Sequence, residues 1–190
     1  MSSKVGICNS ALIKLGASTI MSLTDGSKNA NLCNEQYDKL RDDLLRTHPW
    51  NFAIRRAKLA QLSEVPAFGF AHAYQLPAEW LRTVTVHDND AGAGAVRYRI
   101  EGRRILADAP DIWLRYVAAV DDPNEMPIAF REALAWRIAA DLAQAVTQSS
   151  TVQEAMLQGF RPALATAKSI DAIEDYPPEP PPSSWVIARF

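Results

Sequence analysis

The chain has 190 residues and a mass of 21.0 kDa, enough for one domain or for one domain carrying a smaller insertion. A hydrophobic fraction of 48% with 22% charged residues excludes general disorder, and a formal net charge of -2 supplies no global attraction for nucleic acid or an anionic membrane. The charge is uneven: residues 51–118 hold nine basic and seven acidic side chains, whereas residues 119–190 hold five and ten. No apolar run approaches the roughly 20 residues that span a bilayer. The start, Met1-Ser-Ser-Lys-Val-Gly, lacks the basic and apolar regions of a signal peptide. The expectation is a protein made and kept in a cytosol-like compartment, with no membrane partner.

A first helix is expected from Ser3 to Leu15, where Val5, Cys8, Leu12 and Leu15 recur at helical spacing, Ser2 or Ser3 can cap the start and Gly16 can end it. After a turn-rich link comes a second helix capped by Asp25 or Ser27. Its stripe is Ala30, Cys33, Tyr37, Leu40 and Leu44, and Pro49 closes it. Trp50 and Phe52 then read as aromatics that plug a core.

From residue 68 to residue 118 the pattern turns to strand. Tyr74–Leu76 runs through Pro77 into the β-branched Thr83-Val-Thr-Val. Val96–Ile100 alternates apolar and charged, a tight turn at Glu101-Gly102 leads into Arg104–Ala107, and a last strand covers Ile112–Val117. Four short strands predict one small antiparallel sheet inserted between helices.

Asp121–Pro127 has the acidic residues and proline of a helix entry. A third helix to about Gln148 would place Phe130, Leu134, Ile138 and Leu142 on one stripe, with Met126 and Pro127 beside Phe130 at the core plug. Ala135, Ala139, Ala140 and Ala143 offer small surfaces for close helix packing. Thr151 with Glu154 reads as the capping box of a fourth helix lined by Met156, Phe160 and Leu164, with a kink expected at Gly159 and Pro162. The fold class is therefore α+β, mainly α: an antiparallel bundle of four main helices. Residues 1–66 form its first half, residues 67–118 an inserted β domain, and residues 119–175 its second half.

Residues 176–190 differ. Tyr176-Pro-Pro-Glu-Pro-Pro-Pro holds five of the twelve prolines and predicts an extended spacer. It carries an apolar tip of Trp185, Val186, Ile187, Arg189 and Phe190 that reads either as a docking arm or as an arm folded back on its own domain.

The sequence offers no chemistry of the usual kinds. The three histidines, His48, His72 and His87, have no metal-ligand spacing, and His87-Asp88-Asn89-Asp90 fits an exposed turn. Cys8 and Cys33 fall on apolar helical faces, which suits buried reduced thiols better than a nucleophile. Asp42-Asp43 reads as a solvated helix face, and no phosphate-binding glycine loop is present. No catalytic residue, cofactor or metal is expected. Arg97, Arg99, Arg103 and Arg104 form a basic concentration, suited to a subunit or tail interface or to a DNA channel.

The stretches Ile7-Cys-Asn-Ser-Ala-Leu-Ile-Lys-Leu-Gly, Ile20-Met-Ser-Leu-Thr-Asp-Gly and Asn29-Ala-Asn-Leu-Cys-Asn are followed by a helix ending Pro49-Trp-Asn-Phe, then by Tyr74-Gln-Leu-Pro and Asp122-Pro-Asn-Glu-Met-Pro-Ile-Ala-Phe. In that order the chain resembles the tail tubular protein A family, the head-to-tail adaptors of short-tailed phages, over nearly its whole length. The resemblance implies a non-enzymatic virion protein assembled in the host cytoplasm. It would form a dodecameric ring at the head-tail junction, between the portal protein and the tail nozzle protein, with packaged DNA passing through the channel. It also implies that the C-terminal arm engages the portal or a neighbouring subunit. The alternative is a DNA-binding or regulatory module using the arginine-rich face of the β insert.

Overall fold

The structure is a computed structural model that describes residues 2–92 and 96–174. It contains four helices and two small antiparallel three-stranded sheets, an α+β and mainly helical architecture. The arm tip of Trp185, Val186, Ile187, Arg189 and Phe190 lies outside the described residues.

Helix α1 (Lys4–Lys14) begins where Ser3 accepts a hydrogen bond from the Gly6 amide, and α2 (Lys28–Arg46) begins where Ser27 accepts one from Ala30. In α1 the buried stripe is Ile7, Cys8, Ala11 and Leu12, rotated from the expected one, so that Val5 and Leu15 sit at its border. In α2 the five expected positions are all buried, together with Arg41 and Leu45. Helix α3 (Ile128–Thr147) packs against α1, α2 and α4 (Ser150–Ile173), which makes it the centre of the bundle. Its buried Ala135, Ala139, Ala140 and Ala143 let neighbouring backbones approach.

One expectation about α4 needs correction. The cap is Ser149, which accepts from the Val152 amide, and not Thr151 with Glu154. Gly159 acts as a packing notch: a Cβ there would stand 2.4 Å from Cζ3 of Trp136 on α3. Glycine is the residue that lets the indole lie against the α4 backbone.

Six strands replace the four expected, and they form two sheets. The inner sheet has the order β1-β6-β3, built from β1 (Ile54–Lys58), β6 (Trp113–Ala118) and β3 (Trp80–His87). The outer sheet has the order β2-β5-β4, built from β2 (His72–Gln75), β5 (Arg104–Ala107) and β4 (Tyr98–Glu101). The sequence reading merged β2 and β3, but Pro77 lies between them at a turn closed by the Trp80 amide on the Pro77 carbonyl, and the two strands enter different sheets. Strand β1, within residues 1–66, pairs with β6 in register from Ile54↔Val117 to Lys58↔Trp113. Gly102, at φ +58°, permits the two-residue turn joining β4 to β5.

Alternation along β6 couples the layers. Val117 faces the helices, with Ile54, Leu81 and Val84 packed beside it. Leu114, Tyr116 and Ala118 face the other way, onto Tyr74, Ile105 and Ala107 of the outer sheet. The order is helices, inner sheet, outer sheet, with two cores sharing the inner sheet as a wall.

Candidate functional site

The aromatic plug forms first from the chain's own local bends. Thr47 ends α2, and a turn of 3-10 helix at Asn51–Ala53 swings Trp50 and Phe52 toward the start of α3. Trp50 meets Phe130 edge to face at 5.0 Å, and Phe52 meets Phe130 at 4.9 Å. The Trp50 indole donates to the Leu44 carbonyl, Met126 is buried beside the plug, and Pro127 caps α3. This assembly is a structural keystone, and the crevice beside Trp50, Pro127 and Phe130 has a volume of about 10 Å³.

Two buried polar residues brace it, and neither stands out in the sequence. Asp171, near the end of α4, is 6% exposed. Its carboxylate accepts from the Asn51 amide at 2.9 Å and faces Nε2 of His48 at 3.2 Å, while its carbonyl accepts from the Asn51 side chain. His48 is therefore a partner of α4 as well as a residue at the end of α2. Arg41, 4% exposed, contacts Asp38, Asp42 and Asp121 and so ties α2 to the segment entering α3. Burial opposes its charge, and the carboxylates of Asp42, Asp121 and Asp38 outweigh that, holding its pKa above the ordinary value. Asp42 is thus an anchor for Arg41 rather than part of a freely solvated pair, while Asp43 stands 3.8 Å from Arg137.

Cys8 and Cys33 are buried and free, and they touch across the α1–α2 contact. The hydrogen bond between them and their burial push the pKa of the Cys8 thiol far above its usual range, while the same bond lowers that of Cys33. Among the described residues no group of three His, Cys, Asp or Glu side chains converges on a metal position, and no helix is long and apolar enough to cross a membrane.

Arg97, Arg99, Arg103 and Arg104 do not act together. Arg103 donates to the carbonyls of Pro77 and Ala78, clamping the turn between the two sheets. Arg104 pairs with Glu64 at 2.7 Å. Arg97 lies over the Phe70 ring at 5.0 Å and 3.9 Å from Asp108. Arg99 stands on the outward face of β4 and, among the described residues, makes no ion pair. Arg97, Arg99 and Arg104 rim a concavity of about 810 Å³ between the outer sheet and the 64–70 loop, whose Val65 (65%) and Phe68 (86%) are exposed. The concavity thus combines an apolar lip with a basic floor.

A second basic face was not foreseen. Arg115 of β6 stands in register between Arg56 of β1 and Thr85 of β3 on the inner sheet. The signal was present in Arg55-Arg-Ala-Lys58 and in the alternation Trp113/Arg115, but only strand pairing brings them side by side.

No protein-family model matches the chain, and no curated protein matches it in sequence.

Proposed function

We propose that the chain is a structural head-to-tail adaptor of a short-tailed bacteriophage. In this reading it forms a ring between portal protein and tail nozzle protein, through which packaged DNA passes, and residues 176–190 dock on the portal or on a neighbouring subunit. The family resemblance supplies the reading, and one structural observation supports it most. The close of α4 carries exposed aliphatic side chains, Ile173 at 79% and Ile170 at 41% accessible, and the first residue of α3, Ile128, is 77% accessible. Large aliphatic side chains at such a site fit a protein that completes its burial on a partner. The concavity under Val65 and Phe68 offers a second contact face on the opposite layer of the molecule.

The rival reading, a DNA-binding or regulatory module using Arg97, Arg99, Arg103 and Arg104, is weakened because Arg103 and Arg104 serve internal contacts. The test of the adaptor reading is co-purification with the portal protein encoded beside it, followed by native mass spectrometry. The expected outcome is a ring of many copies on the portal, lost when Ser183–Phe190 is deleted while circular dichroism stays unchanged. A chain that ignores portal, or a truncated chain that assembles normally, would count against the ring or the arm respectively.

A further inference from the structure

The helix-facing side of the inner sheet runs past the end of the bundle, and its uncovered part is cationic. Val117 anchors one end of this face in the helical core. Two and four residues earlier on β6, Arg115 and Trp113 line a depression of about 400 Å³ with Arg56 and Thr85. Lys58, opposite Trp113 in the ladder, holds its ammonium 4.5 Å from the indole and 3.0 Å from Asp111. Arg82, opposite Val117 on β3, continues the face toward α2.

The charges on this face are unbalanced. Among the described residues none of Arg56, Arg82 and Arg115 makes an ion pair, although other residues form twelve such pairs, Lys58–Asp111 at the edge of this face among them. Asp90 is the carboxylate on the rim of the depression, and it pairs with none of them. Nε of Arg82 and Nε of Arg115 are both buried without a hydrogen-bond partner. A guanidinium stripped of water on its inner edge and lacking a counter-ion is unfavourable, and an anion on its outer fork relieves that cost. Arginine forks match phosphate oxygens in pairs.

The spacing selects the kind of anion. Adjacent strands stand about 4.8 Å apart and same-face residues on one strand about 6.8 Å, so these cations are spread over a span that one small phosphate cannot bridge. A chain of phosphates can. We propose that the face formed by Arg56, Arg82 and Arg115, flanked by Lys58 and Trp113, binds the phosphodiester backbone of nucleic acid. The proposal concerns the isolated chain and does not rest on the ring reading.

The test is fluorescence anisotropy of a labelled single strand of about 30 nucleotides, and of the matching duplex, titrated with the full chain between 50 and 200 mM salt. With three phosphates engaged, affinity should fall about 40-fold across that range for the duplex and about 20-fold for the single strand. The double variant Arg56→Gln/Arg115→Gln should reduce that salt effect to about 4-fold and weaken binding at 50 mM. Because Arg115 sits on a central strand, Arg56→Glu on the exposed edge strand is the second variant. It should weaken binding at least 10-fold with circular dichroism unchanged. Arg99→Gln, on the other sheet, should leave binding as it was. Preference for the single strand or for the duplex tells which form the face accepts, and either supports the proposal. It is overturned if neither binds at 50 mM salt, if the variants bind like the wild type, if Arg99→Gln is as damaging, or if phosphatidylserine vesicles bind and the oligonucleotides do not.

Discussion

The helical layer and the sheet layer bury comparable kinds of side chain and treat their buried charges in opposite ways. In the helical layer the charged residues that go inside, Arg41 and Asp171, meet several partners each and tie distant segments together. In the sheet layer the half-buried arginines Arg82 and Arg115 have no such partners. Satisfied buried groups stabilise a unique packing; unsatisfied ones carry a cost that a ligand can relieve. The comparison separates a layer built for rigidity from a layer with charge left to use.

The largest effect should come from breaking the plug. Phe130→Ala should destabilise the fold by about 3–5 kcal/mol in urea unfolding, because both Trp50 and Phe52 lose their edge contacts. Asp171→Ala should cost about 2–3 kcal/mol, since the buried Asn51 amide loses its acceptor, and Asp171→Asn should cost less by keeping one carbonyl oxygen. Should Asp171→Ala unfold like wild type, the contrast between the layers would fail at its strongest point. Gly159→Ala is the next in size. Helix propensity alone predicts a gain of about 1 kcal/mol, whereas the 2.4 Å approach to Trp136 predicts a net loss of about 1–2 kcal/mol.

The fourth prediction concerns alkaline pH. Burial and the hydrogen bond it donates to Glu79 push the Tyr116 hydroxyl up to about 12 from the usual 10, so the folded state keeps a proton that the unfolded chain releases. That contribution is complete below pH 10 and is lost as pH rises from about 10 to about 12. Thermal unfolding across that window should show the decline, and Tyr116→Phe should make it shallower at a cost near 1 kcal/mol at neutral pH, Tyr37 and Tyr74, also raised by burial, keeping the remainder. The smallest effect is expected at Arg99→Gln, within about 0.5 kcal/mol, because that side chain is exposed on the outer sheet.

Parts of the sheet layer were hard to read for identifiable reasons. Ile54–Lys58 has three cations in five residues and no strict alternation, so it carries little strand signal of its own; pairing with the central strand β6 supplies its hydrogen bonds. In β3 the register shifts twice, at Trp80/Arg82 and Thr83/Thr85, which blurs the period of two. Asp171 looked like one more polar residue on a helix, and Gly159 like a helix breaker. Each has a role set by a segment far away in sequence: Asn51 for the first, Trp136 for the second.

The sequence by itself determined the four helices, the apolar stripes of α2 and α3, most of the strands and the aromatic plug. These follow from periodicities and caps that act within a few turns of chain. Only the tertiary structure decided that the strands divide into two sheets, that Arg103 and Arg104 are spent on internal contacts, and that Arg56 and Arg115 stand together. Which charges find partners depends on strand register and on the order of layers, and those are set by burial across the whole chain.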